Sequence, residues 1–198
     1  MGFKKYMKFD LNYWRVGNRK LAFVAATVML ASAVVRASYF ILSGLAEFTP
    51  FELATQLALP LACNIIFACE IYFLKDKALW ITCIPVAFGS VFFIIKSIMY
   101  FTPLHMALCC ALYVGAFVLY TITVCGLIRI TTLVKLVFGL PFIYHIFVED
   151  LPVLISKNPP RTAVEWMPEI SVLLIMISLF TAVSSFEKRE AGGNTRFV

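Results

Sequence analysis

Six separate runs of apolar residues, each long enough to cross a bilayer, dominate this chain: 21–45, 51–74, 78–101, 104–128, 130–148 and 168–186. A helix needs about 20 mainly apolar residues to traverse the hydrocarbon core, because it rises only about 1.5 Å per residue. A soluble fold cannot hide runs of that length. Of the 198 residues, 62% are hydrophobic and only 14% charged, whereas globular domains carry about 25% charged residues to build their polar exterior. The pattern predicts an all-α integral membrane protein, a compact bundle of six transmembrane helices filling residues 21–186. A basic segment, 1–20, precedes it and a short tail, 187–198, follows. The first run is too long for a signal-peptide core and no convincing cleavage site follows it, so it counts as a span.

The distribution of charge orients the bundle. Lys4, Lys5, Lys8, Arg15, Arg19, Lys20, Lys75, Lys77, Arg129, Lys135, Lys188, Arg189 and Arg196 fall on one side, thirteen of the 17 basic residues. Only Lys157 and Arg161 fall on the other, while Arg36 and Lys96 lie within spans. Basic residues are retained on the cytoplasmic face, so both termini are expected in the cytoplasm and the protein in the plasma (inner) membrane. The same scatter at helix ends argues against nucleic acid as the partner of the +6 net charge; the first partner is the lipid bilayer. The six cysteines, Cys63, Cys69, Cys83, Cys109, Cys110 and Cys125, all sit in apolar runs and form no CxxC pair. They read as small hydrophobes.

The outer turns have their own chemistry. Phe48-Thr49-Pro50 recurs as Phe101-Thr102-Pro103. In each, Thr can cap the following helix and Pro suits its first turn; Glu52, three residues after Thr49, completes a capping box. The third outer connection, 149–167, is long, and long loops in compact folds often cover binding sites. These outer segments hold Glu47, Glu52, Glu149, Asp150, Glu165 and Glu169 against Lys157 and Arg161, six charges against two and a local excess of −4. Such a rim favours neutral or cationic solutes, or supplies partners to the cations within the spans.

The polar residues inside the spans are the candidates for a ligand site. Arg36 lies nine residues from the outer end of its run, about 13 Å deep and beyond comfortable snorkelling. It should face the interior and find either an anionic ligand group or a structural partner such as Glu47 or Glu52. Ser32, Tyr39 and Ser43 share its face. Glu52, Gln56, Pro60 and Asn64 recur every four residues on the second run and also point inward. Pro60, Pro85 and Pro141 interrupt three spans, where proline can kink a helix and free carbonyls around a pocket. Arg36, Tyr39, Glu52 and Gln56, with Lys96, Tyr100, His105, Tyr144 and His145, concentrate in the outer half, while Asn64 lies in the otherwise almost purely apolar inner half; this predicts a pocket between the outer halves of the first five helices, beneath the loop 149–167 and closed below. Ser171, Ser178 and Ser185, seven apart, read as a close-packing stripe.

No HExxH, GxSxG or P-loop is present, which points away from an enzyme. In size, helix number and terminus placement the chain resembles the substrate-capturing S components of energy-coupling-factor vitamin transporters, with AxxxA spacing at Ala22/Ala26 and Ala33/Ala37. The likeness covers overall shape. It implies a small-molecule binding or transport protein with an outward-opening pocket, and a membrane partner docking on the helix face of Ala22 and Ala26. The cofactor, if any, is not named by the sequence. A second reading places haem or a metal near His105 and His145, with Cys109 and Glu149 each one turn on; a third is a sensor or accessory subunit without a small ligand.

The topology is checked by labelling. With the native cysteines replaced, Thr195→Cys should resist a membrane-impermeant thiol reagent in intact cells and Lys157→Cys should react; the reverse pattern would invert the orientation.

Overall fold

The computed structural model describes residues 14–73, 79–100, 103–125 and 162–188. A short strand, β1 (Trp14–Val16), leads into α1 (Arg19–Ser43), and a 3-10 turn (Leu45–Glu47) connects this to α2 (Pro50–Phe73). A second 3-10 turn (Leu79–Thr82) opens α3 (Cys83–Tyr100); α4 (Pro103–Val124), α5 (Met167–Ser184) and β2 (Phe186–Lys188) follow. The expected span at 130–148 and most of the loop at 149–167 lie outside the described residues. Three described helices, α1, α2 and α5, are long and apolar enough to cross a membrane.

Local chemistry sets the helix ends. Asn18 caps α1, its side chain accepting from Leu21 N at 3.2 Å. At the far end Gly44 takes φ +87°, a conformation that costs a residue without Cβ little, and its N–H returns to Ile41 O at 3.3 Å. This stops α1 at Ser43, two residues short of the apolar run. The capping box at Thr49 forms as its sequence requires: Glu52 N donates to Thr49 Oγ1 at 3.2 Å and Thr49 N to Glu52 Oε2 at 2.9 Å. Pro103 is the first residue of α4, the position where its missing N–H costs nothing.

The outer surface of the helices is apolar where that of a soluble protein is polar, and several polar side chains lie in the core. Phe23, Val34, Ile41, Leu42 and Phe73 are each more than half exposed, whereas Ser32, Arg36, Asn64, Ser171 and Ser178 are buried. Outward apolar side chains suit lipid, and inward polar ones must find partners among themselves. α1 makes its most extensive contact with α5 and its next with α2. Ala22, Ala25, Ala26, Met29 and Ala33 on α1 and Ser171, Ser178 and Ala182 on α5 are all buried. Small side chains let the two backbones approach until Ser178 Oγ donates to the carbonyl of Ala25 at 2.7 Å. The serine stripe is therefore a helix seam. Ala22 and Ala26 are buried in this core, with Ala68 and Ile71 of α2, beside cavities of about 460 and 240 Å³ that they help to line.

The ends of the bundle hold one feature that residue patterns this short do not announce. β1 and β2 pair antiparallel, Trp14 opposite Lys188 and Val16 opposite Phe186. Ser185 O accepts from both Gly17 N at 3.0 Å and Asn18 N at 3.1 Å, and Trp14 Nε1 donates to Thr123 O of α4 at 2.5 Å. Trp14, Val16 and Phe186 are buried against the helices. The last apolar run thus ends as helix at Ser184, and Phe186, expected within that span, belongs to a strand. The ribbon brings the chain before α1 and after α5 to the same end of the bundle.

Filling the α1–α5 seam should be costly. Ala25→Leu, at a fully buried site, is expected to destabilise the protein by about 1–3 kcal/mol. Val34→Leu, 65% exposed, should change the unfolding free energy by no more than about 0.5 kcal/mol. Denaturant titration in detergent measures both.

Candidate functional site

The site begins with a carbonyl that its own helix cannot satisfy in the usual way. Pro60 has no N–H to give to the carbonyl four residues earlier, and that carbonyl is Gln56's. Around it α2 widens into a π-helical stretch, Leu53–Ala58, a departure often found at functional sites. Arg36 of α1 crosses to this point, and its Nη1 donates to Gln56 O at 3.1 Å. Its Nε donates to Ser171 Oγ of α5 at 3.3 Å. One guanidinium thus joins three helices.

The network continues inward. Ser171 Oγ donates to the carbonyl of Ser32 at 3.2 Å. Its single proton is then committed, so the Ser32 hydroxyl, 3.3 Å away, donates to it. Ser32 in turn accepts from Asn64 Nδ2 at 2.9 Å. Asn64, Ser32, Ser171, Arg36 and the Gln56 carbonyl form one connected chain across α1, α2 and α5. Arg36 and Asn64 are each only 5% exposed, and a buried polar group without a partner costs about 1–3 kcal/mol. The chain of bonds is what permits an arginine at this depth.

Above Arg36 lies a cavity of about 300 Å³, lined by Arg36, Tyr39, Phe40, Phe48, Glu52, Gln56, Glu165, Pro168 and Glu169. It sits at the end of α1 opposite the β-ribbon, where α2 and α5 begin. Glu165 belongs to the turn entering α5, held by Thr162 N donating to its Oε2 at 3.0 Å. Tyr39, Phe40 and Phe48 form a cluster, with Phe40 and Phe48 centroids 4.6 Å apart and Tyr39 edge-on to Phe40 at 5.1 Å.

Four of the residues expected to contact a ligand, Arg36, Tyr39, Glu52 and Gln56, converge on this cavity. Asn64 does not; bonded to Ser32, it lines a separate, smaller apolar cavity of about 60 Å³ with Met29, Pro60 and Pro85. Lys96 and Tyr100 on α3, and His105 and Cys109 on α4, have side chains outside the described ones, while Tyr144, His145 and Glu149 lie outside the described residues altogether. The described lining comes from α1, the turn holding Phe48, α2, the turn holding Glu165 and the start of α5. Phe40, Phe48 and Pro168 were not anticipated. Phe40 and Phe48 flank Tyr39 and Thr49, and only the reversal of the chain at Gly44 folds them together. Among the described residues no group of three His, Cys, Asp or Glu side chains is close enough to hold a metal ion.

Buried polar side chains inside and apolar ones outside, on helices of membrane-crossing length, define the class: this is a helical membrane protein. No protein-family model, curated protein or solved structure matches the chain.

The Arg36–Gln56 contact is testable by a double-mutant cycle. Arg36→Leu should destabilise the fold by about 1–3 kcal/mol by removing the bonds to Ser171 and to the Gln56 carbonyl. Pro60→Ala supplies an N–H for that carbonyl, so the cost of Arg36→Leu should fall by about 1 kcal/mol in that background. Equal costs in both backgrounds would show that Gln56 O does not depend on Arg36.

Proposed function

We propose that this protein binds, and in a complete system transports, a small molecule in the cavity between α1, α2 and α5. In this reading the chain crosses the plasma membrane six times with both termini in the cytoplasm, and the cavity opens to the outside. The observation that carries it is Arg36, held by Ser171 and the Gln56 carbonyl at the floor of a cavity of about 300 Å³. That volume matches the small end of ligand pockets, roughly 300–1,000 Å³. A packing arginine needs no cavity above it, and a fixed polar floor under an open pocket is the arrangement a binding protein uses.

Two further features support the orientation. The ribbon joins the two ends of the bundle's chain on one side, as termini in one compartment require. The cavity lies at the opposite end, where the sequence carries almost no basic residues. The likeness to S components supports capture of a solute from outside. A coupling partner would have to engage a surface other than Ala22 and Ala26, because these are buried in the core.

Access from outside can be measured directly. In a chain stripped of native cysteines, Glu165→Cys at the exposed rim should react with an impermeant thiol reagent applied to intact cells. Mass spectrometry of the gently purified protein should also find a small molecule bound in stoichiometric amount. Labelling only in inverted vesicles would reverse the opening and overturn the outward-facing reading.

A further inference from the structure

Resting on the reading of this cavity as a solute site, we propose that its ligand is a small organic cation, an amine or quaternary ammonium. Two properties of the lining, independent of each other, lead there.

The first is charge. Glu52, Glu165 and Glu169 line the cavity against one guanidinium, Arg36. Among the described residues, three negative charges against one positive leave an excess of two, in a concavity whose other described walls are the rings of Tyr39, Phe40 and Phe48 with Gln56 and Pro168. Low-dielectric walls concentrate the field of such an excess and draw cations in. Arg36 is buried and donates to Ser171 and to the Gln56 carbonyl, while Glu165 is exposed in the turn before α5.

The second is the aromatic wall. Tyr39, Phe40 and Phe48 all line the same cavity as a triangle of rings, with centroids 5.1, 4.6 and 6.1 Å apart; Phe40 is buried and Tyr39 and Phe48 are half-buried. Aromatic faces attract cations through their quadrupole, and clusters of rings beside carboxylates recognise alkylammonium groups. An anion would meet both the carboxylate excess and the negative ring faces.

The same geometry separates an organic cation from a bare metal ion. A divalent metal requires several ligands converging on one point, and among the described residues no three acidic or other ligating side chains do so. An alkylammonium needs only one carboxylate at contact and apolar or aromatic surface for its carbons. The lining supplies that combination.

The test uses the full chain in lipid nanodiscs and a panel of probes matched in shape. Tetramethylammonium, choline and benzylammonium are the cations. The neutral carbon isostere of choline, 3,3-dimethyl-1-butanol, and the anion 3,3-dimethylbutyrate complete it. At least one cation should raise the thermal unfolding midpoint and bind in equilibrium dialysis, while the neutral and anionic probes should not. Phe48→Leu, which keeps the apolar volume but removes the ring, and Glu165→Gln, at an exposed turn, should each weaken cation binding by about tenfold. Neutral or anionic probes binding as well as the cations would overturn the cationic ligand and leave the solute site standing. So would cation binding that neither substitution weakens. If no probe of any charge binds, both the cationic ligand and the solute site fall.

Discussion

The donation from Arg36 to the Gln56 carbonyl holds this structure together. A guanidinium far from a helix end is expensive in an apolar surround, and a helix carbonyl deprived of its N–H is expensive for the same reason. Pro60 creates the second problem and Arg36 answers it, at 3.1 Å. Together they fix the rotation of α1 against α2, and the second bond, to Ser171 at 3.3 Å, fixes α5 against both. The cavity exists because α2 widens into its π-helical stretch, Leu53–Ala58, where α1 and α5 must meet it.

Below that junction the packing changes character. Alanines of α1 and serines of α5 bring the two helices close, and hydroxyl groups satisfy carbonyls across the seam, as Ser178 does for Ala25. Lipid offers helices little hydrophobic reason to associate, so close van der Waals contact and such bonds carry the association. The ribbon closes this end. Trp14 reaches across to the last turn of α4 through its indole N–H, and β1 and β2 tie the entry of α1 to the exit of α5. The ribbon ties this end of the bundle, beside a cavity of about 460 Å³ lined by Val16, Arg19, Ala22 and Ile71; the polar network and its cavity of about 300 Å³ lie at the other end.

Much of this was legible in the residues. The apolar runs could only be helices in lipid, because every backbone donor and acceptor there must be satisfied within its own segment. The Thr49–Glu52 capping box and the proline at the start of α4 are local chemistry and followed from spacing alone. Arg36 was identifiable as inward-facing from its depth, and Glu52, Gln56 and Pro60 from their four-residue spacing. Pro60 even named the carbonyl in need, since the residue four before it is Gln56.

What the tertiary structure decided is who meets whom. No spacing reveals that Arg36 bonds Ser171, 135 positions away, or that Asn64 turns to Ser32 and leaves the cavity. Nor does AxxxA spacing reveal that Ala22 and Ala26 are buried with Ala68 and Ile71 of α2, since faces that pack within a chain and faces that receive a partner both want small side chains. The strands at Trp14–Val16 and Phe186–Lys188 are too short for a period-two pattern to be visible, and they form because their side chains are buried on the bundle's end. Sequence determines what each segment must avoid, an apolar helix in water or a bare charge in lipid. The partner that relieves it is set by how three helices, far apart in the chain, rotate to share their small and polar faces.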